Sequence, residues 1–189
     1  KAPHNAYTTG EGIVAGIQSK GYETKHASDY TGHYKFNEDD STQIELTNGR
    51  DAAVVAPGYL VNKPWFVYDS ETGLYKRFQN GEAQTDGNNG EQVAVKNVII
   101  QICGWSRMSN DDEYLDMETM AGGNGYYITN GKAIPVTWSK DSLQAPTRYF
   151  DADGNEITLN QGKTWVCVTE DTYADKIAFY ASEEEYANR

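Results

Sequence analysis

From residue 43 onward the chain is a succession of short runs in which apolar and polar side chains alternate or apolar ones predominate. They fall at 43–46, 52–56, 65–68, 74–79, 93–103, 114–118, 125–129, 133–138, 147–150, 156–159 and 164–169, and each is rich in Val, Ile, Thr or aromatic residues. Such runs predict β-strands. Between them stand Asn48-Gly49, Asn80-Gly81, Asp86-Gly87, Asn130-Gly131 and Asp153-Gly154, pairs suited to the positive-φ positions of tight hairpins, so the sheets are expected to be largely antiparallel. One further strand is expected at 176–180, followed by a short helix in which Ser182 and Glu185 have the spacing of a capping box.

Only the first part of the chain has helical period. Thr8 or Thr9 can cap an N-terminus, Glu11 suits the first turn, and Ile13, Val14 and Ile17 form a stripe that Gly21 ends. Residues 22–40 are polar and tyrosine-rich without periodicity and read as a surface loop. The predicted class is α+β, mostly β: antiparallel twisted sheets with hairpins, one N-terminal helix and a short C-terminal helix.

Composition narrows the function more than the fold. With 16 basic against 28 acidic residues the net charge is −12, and the Lys and Arg residues are scattered singly along the sequence, so no nucleic-acid partner is expected. The longest apolar run, around Val98 to Ile102, is far short of the roughly 20 residues that cross a bilayer. Cys103 and Cys167 lack metal-site spacing and each lies in a strand-like run. Buried free thiols are the favoured reading, a single bridge between neighbouring strands the alternative.

At the level of motifs the chain resembles a known family. Residues 1–7, KAPHNAY, are similar to an Ala-Pro-His-Asn-x-Tyr signature. They are followed in order by Phe66-x-Tyr68-Asp69, Tyr75-x-Arg77, Gly81, Asp86, Lys96-Asn97-Val98, Gly123-x-Gly125, Trp138-Ser139-Lys140, Asp153-Gly154 and Gly162-Lys163-Thr164-Trp165. This order resembles the YerB-like bacterial lipoproteins, whose domains have no assigned function. The resemblance implies that residues 1–40 are a remnant of an N-terminal domain, helix plus loop, and that residues 41–189 are the mostly β C-terminal domain. It also implies a lipid-anchoring cysteine upstream, so that the full-length form is an extracytoplasmic, membrane-anchored lipoprotein, touching the membrane only through that anchor.

His4, between Pro3 and Asn5, can serve as a general base, but no nucleophile stands near it in sequence. His4 and Asn5 are therefore assigned to contacts with the missing N-terminal part. Tyr75 and Arg77 lie two apart and share one strand face, and Asp86 across the Asn80-Gly81 turn is expected to meet Arg77 as an ion pair or as one edge of a polar pocket. Trp138 and Lys140 set an indole beside an ammonium, able to stack on a sugar or hold a carboxylate; in the plainer reading Trp138 plugs the sheet and Lys140 pairs with a surface acid. The Gly122-Gly123-Asn124-Gly125 run is expected to permit a turn or bulge. Asp151-x-Asp153-Gly154-Asn155 fails the EF-hand pattern and reads as a hairpin turn, and the acidic run from Asp111 to Glu118 as a solvated segment.

H-E-x-x-H, G-x-S-x-G and S-x-x-K are missing, and no metal or cofactor is expected. The resemblance, together with these absences, implies a non-catalytic module that binds an envelope protein or a cell-wall component, with Tyr75, Arg77, Asp86, Trp138 and Lys140 as the candidate binding residues. The alternatives are a cell-wall-active hydrolase using a carboxylate pair and a glycan-binding module.

Overall fold

The helical signals near the N-terminus are all used. The computed structural model describes residues 7–28, 30, 32–39, 41–109 and 111–189, giving only the backbone of 111–113, and forms α1 over Gly10–Lys20. Thr9 caps it, its hydroxyl accepting the Gly12 amide at 3.1 Å, and Gly21 ends it in the left-handed conformation. No residue of α1 is buried. The helix belongs to a first unit, Lys1–Gly32; everything below belongs to a second, His33–Arg189.

The second unit contains β1 (Arg50–Asp51), β2 (Val54–Pro57), β3 (Trp65–Asp69), β4 (Leu74–Gln79), β5 (Glu82–Ala83), β6 (Ala94–Val95), β7 (Asn97–Cys103), β8 (Trp105–Met108), β9 (Asp111–Met117), β10 (Gly122–Thr129), β11 (Lys132–Ser139), β12 (Arg148–Phe150), β13 (Thr164–Glu170) and β14 (Ile177–Tyr180), then α2 (Glu183–Ala187). One sheet runs β1-β11-β10-β7-β13 with β12 beside β11. The other runs β14-β2-β3-β4-β5 with β6 beside β4, and β8 and β9 form a separate ribbon. Every pairing is antiparallel except β13 with β7. The mostly β, antiparallel class with a helix early and a short helix late is thus present.

Two of the predicted turns make two-residue hairpins: Asn80 and Gly81 join β4 to β5, Asn130 and Gly131 join β10 to β11, and all four residues have positive φ. Pro135 is tolerated inside β11 because its outward side falls between the residues paired with β1 (132 and 133) and those paired with β12 (137–139). The glycine run does not turn. It lies within β10, where a Cβ on Gly123 would come within 2.7 Å of the Ile102 carbonyl oxygen and 2.8 Å of the Trp138 indole nitrogen, so glycine here permits close packing.

Period-2 alternation divides β7 between two cores. Val98 and Ile100 join Val55, Phe66, Tyr75, Ile128 and Cys167 in a core built by both sheets. Ile99 and Cys103 face the opposite way, with Tyr127, Val136, Trp138, Tyr149 and Leu159. That second core is covered by chain without regular strand structure, including Tyr34, Ile44 and Leu46. Residues 43–46 form no strand, and the reason is one side chain. The Asn160 amide accepts the Ile44 N–H at 2.8 Å and donates to the Ile44 carbonyl at 3.0 Å, taking the place of a neighbouring strand.

Candidate functional site

The structure separates the candidate residues that the sequence grouped. Tyr75 is fully buried, its hydroxyl donating to the Ala52 carbonyl at 3.0 Å, and burial pushes its pKa up. Trp138 is also buried and donates its indole N–H to Ile102 O at 3.0 Å. Both hold the fold and offer no surface to a partner. Lys140 donates to the Ala145 carbonyl within its own loop rather than to an acid. His4 and Asn5 lie outside the described residues.

Arg77 shares the inward face of β4 with Tyr75, as the spacing of two requires. It does not meet Asp86. Its guanidinium lies 4.4 Å over the Trp165 ring and 5.8 Å from Phe66, and donates to Gln79 Oε1 at 3.0 Å, while Nε is buried without a hydrogen-bond partner. Asp86 stays in its exposed turn and accepts the Asn88 amide at 2.7 Å. Packing the guanidinium on indole lets Arg77 do without a counter-charge that the short β4–β5 turn does not deliver.

Two groups with nucleophile chemistry are disarmed by burial. Cys167 sits close enough to Arg77 for the guanidinium to favour thiolate, and hydrogen-bonds Tyr59, yet desolvation dominates and pushes the thiol up to about 12. Cys103, which accepts from Gln101 Nε2 at 3.4 Å, is also raised by burial. Both are free, so the bridge does not form. The perturbed carboxyls go the other way. Asp69 is drawn down to about 2 by the Lys76 ammonium at 2.7 Å and by backbone amides, and Asp39 and Asp151 are lowered by hydrogen bonds from their own turns. Asp151 spends its carboxylate on the amides of Asp153 and Asn155 at 3.0 and 2.9 Å, closing a turn. Among the described residues no group of three His, Cys, Asp or Glu is placed to hold a metal.

What remains is a groove that the sequence reading did not find. The loop of residues 58–64 connects β2 to β3 and turns on Gly58, Asn62 and Lys63, all at positive φ. Its apolar members Tyr59, Leu60 and Val61 form one wall; Leu115 and Met117 of the β8–β9 ribbon and Tyr173, in a 3-10 turn after β13, complete a groove of about 460 Å³. Tyr59 reaches inward, its hydroxyl bonded to Cys167 and the Val168 backbone, and burial raises its pKa. Leu60, Val61 and Leu115 remain 50%, 77% and 40% exposed. In sequence the only sign was an apolar triplet between Gly58 and Asn62-Lys63-Pro64.

The chain is similar to known proteins over nearly its full extent. The family profile described as "Protein of unknown function (DUF3048) C-terminal domain" matches residues 54–166. The Bacillus subtilis (strain 168) protein named "Putative lipoprotein YerB" is 27% identical over 180 residues, covering 94% of this chain and 51% of that protein. The crystal structure of YerB protein from Bacillus subtilis superposes with a TM-score of 0.73 at 23% identity, covering 95% of this chain and 57% of that one, a likeness of fold. The chain spans about half the length of the curated relative it matches. With the profile covering more than half of its residues, the chain belongs to the DUF3048 C-terminal domain family, whose function is unassigned.

Proposed function

We propose that this chain is a non-catalytic recognition module of a cell-envelope lipoprotein, and that it takes an apolar segment of a partner protein into the groove between residues 59–61 and the β8–β9 ribbon. The observation that carries this reading is that Leu60, Val61 and Leu115, all large, apolar and exposed, line one groove together instead of being scattered singly over the surface. Glu170 stands at its edge and favours a segment with basic flanks. The envelope location rests on the name of the Bacillus subtilis relative.

The carboxylate-pair hydrolase has less support. It needs a carboxyl raised by a second acid in a cavity, whereas the perturbed carboxyls Asp39, Asp69 and Asp151 are lowered. Glycan stacking on tryptophan loses one platform to burial of Trp138.

Site-specific photo-cross-linking in the full-length, membrane-anchored protein tests the proposal. A photoreactive residue at Val61 is expected to give one discrete adduct that Leu115→Asp abolishes, while the same residue at Ser142, remote from the groove, gives none. Equal labelling from both positions, or turnover of purified peptidoglycan by the isolated protein, overturns it.

A further inference from the structure

On the other side of the 58–64 loop lies a second cleft of about 460 Å³, lined among others by Lys63, Trp65, Asn80, Tyr186 and Arg189. An adjoining hollow of about 180 Å³ shares Lys63, Tyr186 and Arg189 and adds Lys176. In a chain with 28 acidic and 16 basic residues, three cationic side chains converge here and no Asp or Glu lines either hollow. Lys63 comes from the β2–β3 loop, Lys176 from the turn before β14 and Arg189 from beyond α2, so the cluster exists only in the fold.

Several features hold these cations in place. Lys63 has φ of 35° although it is neither Gly nor Asn and precedes Pro64, which disfavours helical backbone for the residue before it; Asn62 beside it has φ of 59°. Backbone strain of this sort, roughly 1–3 kcal/mol per residue, is concentrated at binding sites, where the surroundings enforce it. Here the Asn80 amide donates to Asn62 O at 2.8 Å and fixes the loop. The Arg189 guanidinium lies 3.5 Å from the centroid of Tyr186, which in turn packs on Trp65 and Tyr180. Among the described residues Lys176 pairs with Asp175, both more than half exposed, a contact that a multivalent anion outcompetes. The Lys63 ammonium has no carboxylate partner among the described residues.

We propose that this cleft is a binding site for a phosphate-bearing ligand, whose oxyanions meet Lys63, Lys176 and Arg189 while its uncharged body lies against Trp65 and Tyr186. Ammonium and guanidinium groups both make charge-assisted bonds to phosphate oxygens, and a lining with three cationic side chains and no Asp or Glu favours anions locally. The two sites share Tyr59 and Leu60 of the loop, but Lys63, Lys176 and Arg189 line only this one, so loss of the cations tests it without touching the apolar groove.

Titration calorimetry of the purified protein at low salt with pyrophosphate, and co-sedimentation with phosphatidylglycerol vesicles against phosphatidylcholine vesicles, test it. Saturable binding is expected in at least one arm, and which arm binds tells whether the phosphate is free or a headgroup. Lys63→Gln and Arg189→Gln should each raise Kd roughly tenfold or more, Lys63→Arg should retain binding, and Lys163→Gln, the same loss of charge outside the cleft, should change Kd less than about twofold. Absence of binding in both arms, equal loss in Lys163→Gln, or equal affinity for citrate overturns the proposal.

Discussion

Asn160 shows how one side chain sets the structure of a distant segment. Its amide serves the Ile44 N–H and C=O and the Thr129 hydroxyl, its backbone N–H donates to the Tyr127 hydroxyl at 3.2 Å, and its carbonyl accepts from Asn97 at 2.8 Å, all in a fully buried setting. Asn160→Ala strands the Ile44 N–H without its partner, while the Ile44 carbonyl keeps the Asn130 amide at 3.1 Å, and should cost about 1–3 kcal/mol, read as a lower urea midpoint at unchanged m. Cys167 gives a second test at this scale. With its thiol held near 12, it should resist iodoacetamide at pH 8 in the folded protein and react once urea unfolds it. The shared face of Tyr75 and Arg77 was legible in the sequence because spacing of two settles it. The missing Asp86 contact was not, because a guanidinium can be accommodated by an aromatic face as well as by an acid, and Trp165 lies far along the chain.

Elements with a local cause were the most readable. Asn-Gly at positions 80–81 and 130–131 makes two-residue hairpins where strands flank it on both sides, and Thr9 and Gly21 fix both ends of α1. The strand expected at 43–46 failed because a side chain from residue 160 supplies its hydrogen bonds, which no local pattern can announce. β8 was missed for a related reason: as half of an isolated two-stranded ribbon it has little buried face and so little alternation. The late helix illustrates local causation again. Ser182 Oγ accepts the Glu185 amide at 3.1 Å while the Glu185 carboxylate accepts the Ala181 amide at 2.7 Å, a reciprocal cap. Ser182→Ala should weaken α2 by about 1 kcal/mol, seen as faster amide exchange over Glu183–Ala187 with β7 unaffected. Since α2 carries Tyr186, the same variant should loosen one wall of the cationic cleft.

For the whole molecule, the two features of functional interest were the least legible. Lys63, Lys176 and Arg189 are isolated in a sequence whose net charge is −12, and Leu60, Val61 and Leu115 resemble ordinary core residues until their exposure is known. Class and family were legible because many weak motifs occur in order; a surface patch is made by strands that meet from distant positions.

The pairing of β14 with β2 joins Ile177 to Pro57 and Tyr180 to Val54. During synthesis β2 therefore waits, with one row of amides and carbonyls bare, until almost the whole second unit has been made. A premature stop or a protease cut ahead of residue 177 leaves that edge open to pairing with other chains and removes Tyr186 and Arg189 as well. Strand β14 thus acts as a latch, and a copy that stops short of it would expose the β2 edge and, on the phosphate-site proposal, lack Arg189, a partner of Lys63 in the cation cluster.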